Sequence, residues 1–108
     1  MKVPEQIVRE CAFARIAEIF HIPVEQLRDD TVFGEDLKCS FVSDFRYNEY
    51  DQTLHDIRDA ADRKITKELN KGLLTIRTVS DYCDHMVRCY ETMPEEVSRI
   101  LRLPQQKA

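Results

Sequence analysis

The stretch that most constrains this chain is His21-Ile22-Pro23-Val24-Glu25-Gln26-Leu27-Arg28-Asp29-Asp30-Thr31-Val32-Phe33-Gly34-Glu35-Asp36-Leu37. Pro23 has no amide hydrogen, and its ring pushes the preceding residue out of helical geometry. A helix arriving from the N-terminal side must therefore stop near Phe20 or His21. The residues after Pro23 show no helical period, yet the stretch carries Ile22, Leu27, Val32, Phe33 and Leu37. Apolar anchors at irregular spacing predict a loop pinned across a helical bundle. Within it Val24-Glu25-Gln26-Leu27 can form one helical turn and Asp29-Asp30-Thr31 reads as a turn. Gly34 allows backbone angles that other residues resist.

Helical patterns flank this loop on both sides. Pro4-Glu5 opens the first helix, with proline tolerated in the first turn and an acid at the positive end of the dipole. Ile7, Cys11, Ala14 and Ala17 form one apolar row and Phe13, Ile16 and Phe20 a second, a face broad enough to be buried between two neighbours. From Lys38 to Gly72, the residues Tyr47, Tyr50, Leu54, Ile57, Ala61, Ile65 and Leu69 recur at helical spacing. They predict one long helix, N-capped by Ser43 and ended by Asn70-Lys71-Gly72. The charges between them, among them Asp56, Asp62, Arg63, Lys64, Lys67 and Glu68, read as a solvated face.

Leu73-Leu74-Thr75-Ile76-Arg77 is a short connector, and Thr78-Val79-Ser80-Asp81 matches a capping box with Asp in place of Glu. The next helix is expected to bury Val79, Tyr82, Cys83, Met86, Val87 and Tyr90. Pro94 starts a further short helix with Val97, Ile100, Leu101 and Leu103 on one side. The expected fold is an all-α helical bundle. It forms a single domain over residues 1–108, with its core at about 5–91 and a C-terminal extension at 92–108.

Composition narrows the functions. The apolar runs fall far short of the roughly 20 residues a membrane span needs, and no signal-peptide pattern opens the chain. The cytoplasm is the expected location. A net charge of −4 argues against nucleic acid as the main partner. Cys11, Cys39, Cys83 and Cys89 lack a CxxC pair and read as small core hydrophobes. His21, His55 and His85 are scattered, without metal-ligand spacing, and read as structural or solvated. With no Ser-His-Asp arrangement and no Gly-rich phosphate loop, the chain is not expected to be an enzyme.

The segment His21 to Leu37 resembles the part of acyl carrier proteins that joins the first helix to the prosthetic-group site. Phe33-Gly34-Glu35-Asp36-Leu37 is similar to the family's Phe-x-Glu-Asp-Leu, with Glu25-Gln26-Leu27 at its Glu-Glu-Val-like turn. Ile76-Arg77-Thr78-Val79-Ser80-Asp81-Tyr82 is similar to the Ile-x-Thr-Val segment that opens the family's last helix. The resemblance runs from Ile7 to Tyr90. It implies an acyl-carrier-like bundle with three main helices, a short connector helix and a long loop after helix 1, here with an extra C-terminal helix.

The resemblance also implies a function: an acyl or aminoacyl thioester held on a 4′-phosphopantetheine arm. A phosphopantetheinyl transferase would attach the arm to a serine, and acyl-processing enzymes would be the partners. The family's Asp-Ser-Leu is not intact here. Ser40 precedes the apolar Phe41 but lacks the preceding Asp and comes one residue early, and Ser43 is followed by Asp44. If the extra residues lie before the long helix, the family's serine position falls near Asp51-Gln52-Thr53-Leu54, which has none. In the carrier reading Ser40 takes the arm. In the other, Ser40 and Ser43 merely cap or precede the helix, and the fold is an interaction module without a prosthetic group, as a monomer or a homodimer. Asp29, Asp30, Glu35 and Asp36 are the acids available to a basic partner in either case.

Overall fold

A computed structural model describes residues 3–33 and 49–103, with residues 49–51 as backbone alone. Pro4 stands just outside α1 (Glu5–Phe20), its carbonyl accepting from the amides of Ile7 at 3.0 Å and Val8 at 3.2 Å. At the far end His21 turns left-handed (φ 57°, ψ 44°), and Ile22 N–H returns to the Ala17 carbonyl at 3.1 Å. The helix therefore closes before Pro23, as expected. A 3-10 turn covers Val24–Gln26. Then come α2 (Glu49–Ala60), α3 (Arg63–Asn70), α4 (Val79–Thr92) and α5 (Pro94–Leu101). Among the described residues the only strand-like pairing is a single antiparallel bridge between Val32 and Thr78. The described chain is all-helical, and no helix in it is long and apolar enough to cross a membrane.

α1 lies along α4 and also meets α2 and α5, while α4 packs on α2 and α5 as well. With neighbours on several sides, α1 buries Val8, Ala12, Ile16, Ala17 and Ile19. The expected row through Ile7, Cys11 and Ala14 is turned away from the centre: Ile7 and Cys11 are half-buried and Ala14 is exposed. Apolar residues surround this helix, so periodicity alone could not choose between adjacent rows.

The one long helix predicted after the loop is two. Asp62 leaves helical angles (φ −78°, ψ −176°), and its Oδ1 accepts from Ile65 N–H at 2.8 Å while its carbonyl accepts from Thr66 at 2.9 Å. Asp62 is thus the N-cap of α3, interrupting the predicted helix rather than continuing its charged stripe. The buried face of α2 is also rotated: Thr53, Asp56, Ile57 and Ala60 are buried, and Leu54 is 50 % exposed. Ser43 and Tyr47 lie outside the described residues.

α3 ends as expected at Gly72, whose φ of +74° is costly for a residue with a Cβ. The capping box of α4 is complete: Thr78 Oγ1 accepts from Asp81 N–H at 3.1 Å, and Asp81 Oδ2 accepts from Thr78 N–H at 3.1 Å. α4 buries Val79, Tyr82, Cys83, Met86 and Tyr90 as predicted, and His85 and Cys89 besides, while Val87 is half-buried. α5 adds Val97, Ile100 and Leu101, followed by Leu103, to the same core as Ile16 and Met86.

Candidate functional site

The pinned loop is stitched to the start of α4 by backbone hydrogen bonds. Phe33 N–H donates to the Arg77 carbonyl, Val79 N–H to Thr31 and Ser80 N–H to Asp29, each at 2.9 Å. Thr31 also closes its own turn, its Oγ1 accepting from Arg28 N–H at 2.9 Å. The described parts of the two segments that resemble carrier proteins, residues 29–33 and 77–80, therefore lie side by side. Leu27 and Thr31 are buried beneath this junction, and Asp29 and Asp30 are exposed on its turn. The first amides of α4 are consumed by these bonds, so its N-terminus offers no free donors to an anion.

Asp81 belongs to the junction as well. Burial pushes its carboxyl up, but the backbone N–H groups of Arg77 and Thr78 more than offset this and hold its pKa below the usual carboxylate value. The negative charge that caps α4 is thereby secured near neutral pH.

Beside the junction opens a cleft of about 320 Å³, lined by Val32, Phe33, Thr53, Leu54, Ile57, Ile76 and Arg77. Thr53 lies in the stretch Asp51-Gln52-Thr53-Leu54, near which the resemblance places the family's serine if the extra residues precede the helix. It sits in the second turn of α2 and is 4 % exposed. A hydroxyl so enclosed cannot accept a bulky group from an enzyme while the helix is intact. Ser40, Glu35 and Asp36 lie outside the described residues, so of the expected site residues Asp29 and Asp30 alone are described. A second, more open cleft of about 310 Å³ is lined by Arg9, Glu10, Phe13, Val24, Asp29 and Cys83.

Sequence reasoning missed a buried polar cluster behind the cleft. Asp56 accepts from Arg15 Nε at 2.9 Å, from Arg15 Nη2 at 3.3 Å and from the Tyr82 hydroxyl at 2.9 Å, tying α2 to α1 and α4. Donating to the Asp56 carboxylate raises the Arg15 pKa further, so that charge is permanent. Burial, and then the Asp56 charge, drive the Tyr82 phenol well above its ordinary value, so it remains a donor. The signal in the sequence was Asp56 itself, directly beside the predicted core residue Ile57.

His85 and Cys89 stand one helical turn apart and are both buried. His85 Nε2 is 2.8 Å from the Ile57 carbonyl, which can only accept, so Nε2 carries the proton. Cys89 Sγ lies 3.5 Å from Nε2 and 3.9 Å from Nδ1, and only Nδ1 is left to accept from the thiol. Burial pushes the Cys89 thiol up to about 12, so this pair does not form the thiolate that nucleophilic catalysis uses. Cys83, raised to about 12 by burial, contacts the Arg9 carbonyl at 3.7 Å. Both cysteines fill core, as expected. Among the described residues no group of three or more His, Cys, Asp or Glu side chains could hold a metal.

Burial lowers the His85 pKa below its ordinary 6.5, opposed by the bond to Ile57. The unfolded chain therefore takes up this proton first as pH falls. The stability contributed by neutral His85 is complete above about pH 6.5 and declines below it, until the folded state also protonates. Urea melts between pH 7.5 and 5 should show a shallower loss of stability in His85→Gln than in the parent. Parallel slopes would show that His85 contributes nothing to acid sensitivity.

No family model, curated protein sequence or solved structure matches the chain.

Proposed function

We propose that this protein is a specialised acyl-carrier-like protein. In this reading it receives a 4′-phosphopantetheine arm on Ser40 and presents an acyl or aminoacyl thioester to partner enzymes. The observation that carries the reading is the junction: Asp29 to Phe33 and Arg77 to Ser80, drawn from the two segments that carry the resemblance, are hydrogen-bonded to each other. A largely apolar cleft opens beside them, where an alkyl chain would leave water. Asp29 and Asp30 are exposed on the adjoining turn, available to a basic surface on a transferase or an acyl-processing enzyme.

A specific observation favours a second reading, the same helical module without an arm. Thr53, in the stretch near which the family's serine position falls if the extra residues precede the helix, is enclosed. The protein would then act as an interaction module through the same junction surface, as a monomer or a homodimer.

Intact mass distinguishes the two. Incubation with coenzyme A and a broad-specificity phosphopantetheinyl transferase is expected to add one arm, and Ser40→Ala to abolish the gain. An unchanged mass with several transferases, and for protein isolated from its native host, would exclude the arm and leave the interaction module. A gain retained in Ser40→Ala would move the attachment site elsewhere.

A further inference from the structure

α3 divides sharply into two faces. At roughly 100° per residue, Arg63, Lys64, Lys67 and Lys71 fall within an arc of about 100°, opposite Ile65 and Leu69. The four cations are exposed, Ile65 is buried and Leu69 is half-buried. The acids of this segment are already engaged. Glu68 is held by Arg88 through two bonds of 2.8 and 2.6 Å, and Asp62 caps the helix at 2.8 Å. Lys64 feels Glu68, but among the described residues none of the four cations forms an ion pair. Residues 62–77 hold five cations against two acids, in a chain whose net charge is −4.

Leu73 projects from the end of this basic face and is 76 % exposed. The cause is local. Gly72 N–H returns to the Leu69 carbonyl at 3.2 Å and Leu73 N–H to the Glu68 carbonyl at 2.9 Å. In such a helix ending the apolar residue at the position of Leu73 usually folds back onto an apolar residue five or six places earlier. Here those places are Glu68 and Lys67, so Leu73 has no apolar surface to land on.

We infer that the basic face of α3 and the Leu73 tip form a peripheral docking surface for an anionic phospholipid bilayer. Neither of the two clefts described above is lined by residues 62–75, and Leu73 itself stands out from the surface as a projection. A bilayer surface is flat and yielding. It takes cations at the headgroups and one leucine at the headgroup–acyl boundary, without needing a preformed pocket for Leu73. An acidic protein would have to supply that pocket. Fields fade over about 8 Å at physiological ionic strength, so the basic face is drawn in while the acidic remainder is weakly felt. Binding is therefore reversible and salt-sensitive. It requires no arm and does not rest on the carrier reading.

The chain contains no tryptophan, so Leu73→Trp places a single reporter at the tip and Val24→Trp one at an exposed site outside residues 62–77. With phosphatidylcholine vesicles containing about 30 % phosphatidylserine, Leu73→Trp emission is expected to shift to the blue. Val24→Trp should not shift, and pure phosphatidylcholine should shift neither. In co-sedimentation the parent protein should bind the anionic vesicles at least about tenfold more tightly than neutral ones. The exposed double variant Lys64→Glu/Lys67→Glu should lose that margin with an unchanged thermal melt. Absence of binding, equal binding to both vesicles, or full binding by the charge-reversed variant would overturn the proposal. So would binding to polyglutamate or to a single-stranded RNA without binding to vesicles, which would assign the face to an acidic macromolecule instead.

Discussion

Asp56→Ala is expected to lower the free energy of unfolding by about 3 kcal/mol, read from urea denaturation at neutral pH. The substitution removes the acceptor for three donor groups, Arg15 Nε, Arg15 Nη2 and the Tyr82 hydroxyl. It leaves the Arg15 guanidinium with only the exposed, longer contact to Glu18 at 3.4 Å, and the Tyr82 hydroxyl enclosed without its acceptor. Breaking a buried pair on one side costs about 3–5 kcal/mol, because the stranded charge remains. The Arg15 side chain keeps 21 % of its exposure and can recover some water, so the low end of that range applies. The contrast lies in removing the cluster together. Arg15→Met/Asp56→Leu/Tyr82→Phe replaces all three groups by apolar ones, and such exchanges are often close to neutral, within about 1–2 kcal/mol. A loss under about 1 kcal/mol for Asp56→Ala alone would mean that the cluster does not hold α2 to α1 and α4.

Ile16→Ala is the second large expected effect, about 3–4 kcal/mol by the same measurement. Ile16 is fully enclosed, on the helix that meets α2, α4 and α5. Deleting its outer carbons loses transfer free energy and leaves a cavity that several packed helices cannot easily close. Ala14, in the row favoured by periodicity, is exposed. Ala14→Ser should therefore change stability by less than about 0.5 kcal/mol. Equal losses at the two sites would show that α1 presents a different face to the core.

Local chemistry was legible from residues alone wherever one side chain or one backbone restriction decides the outcome. Pro23 stopped α1, Gly72 permitted the left-handed residue that ends α3, and Thr78 with Asp81 began α4. Each acts within a turn of its own position, so no knowledge of neighbours is needed. Pro94 likewise began α5, whose Val97, Ile100 and Leu101 were read correctly as its inner side. The candidate site was legible in a weaker sense. Asp29 and Asp30 were placed on an exposed turn, but the sequence had no means of showing that this turn lies against Ser80.

Other features depended on what stands opposite. Whether a helix buries Leu54 or Thr53, Ala14 or Ala12, is a choice between adjacent rows of similar local merit, and the neighbouring helices make it. Asp56 belongs inside because Arg15 and Tyr82 are there to satisfy it, and neither lies near it in sequence. Asp62 could equally have joined a charged stripe. It became a cap because the chain turns there and Ile65 N–H needs an acceptor. The stretch from His21 to Leu37 announced by itself a loop pinned across a bundle. Up to Phe33, tertiary structure supplied what pins it: the first amides of α4 need acceptors, and the loop carbonyls of Asp29 and Thr31 provide them.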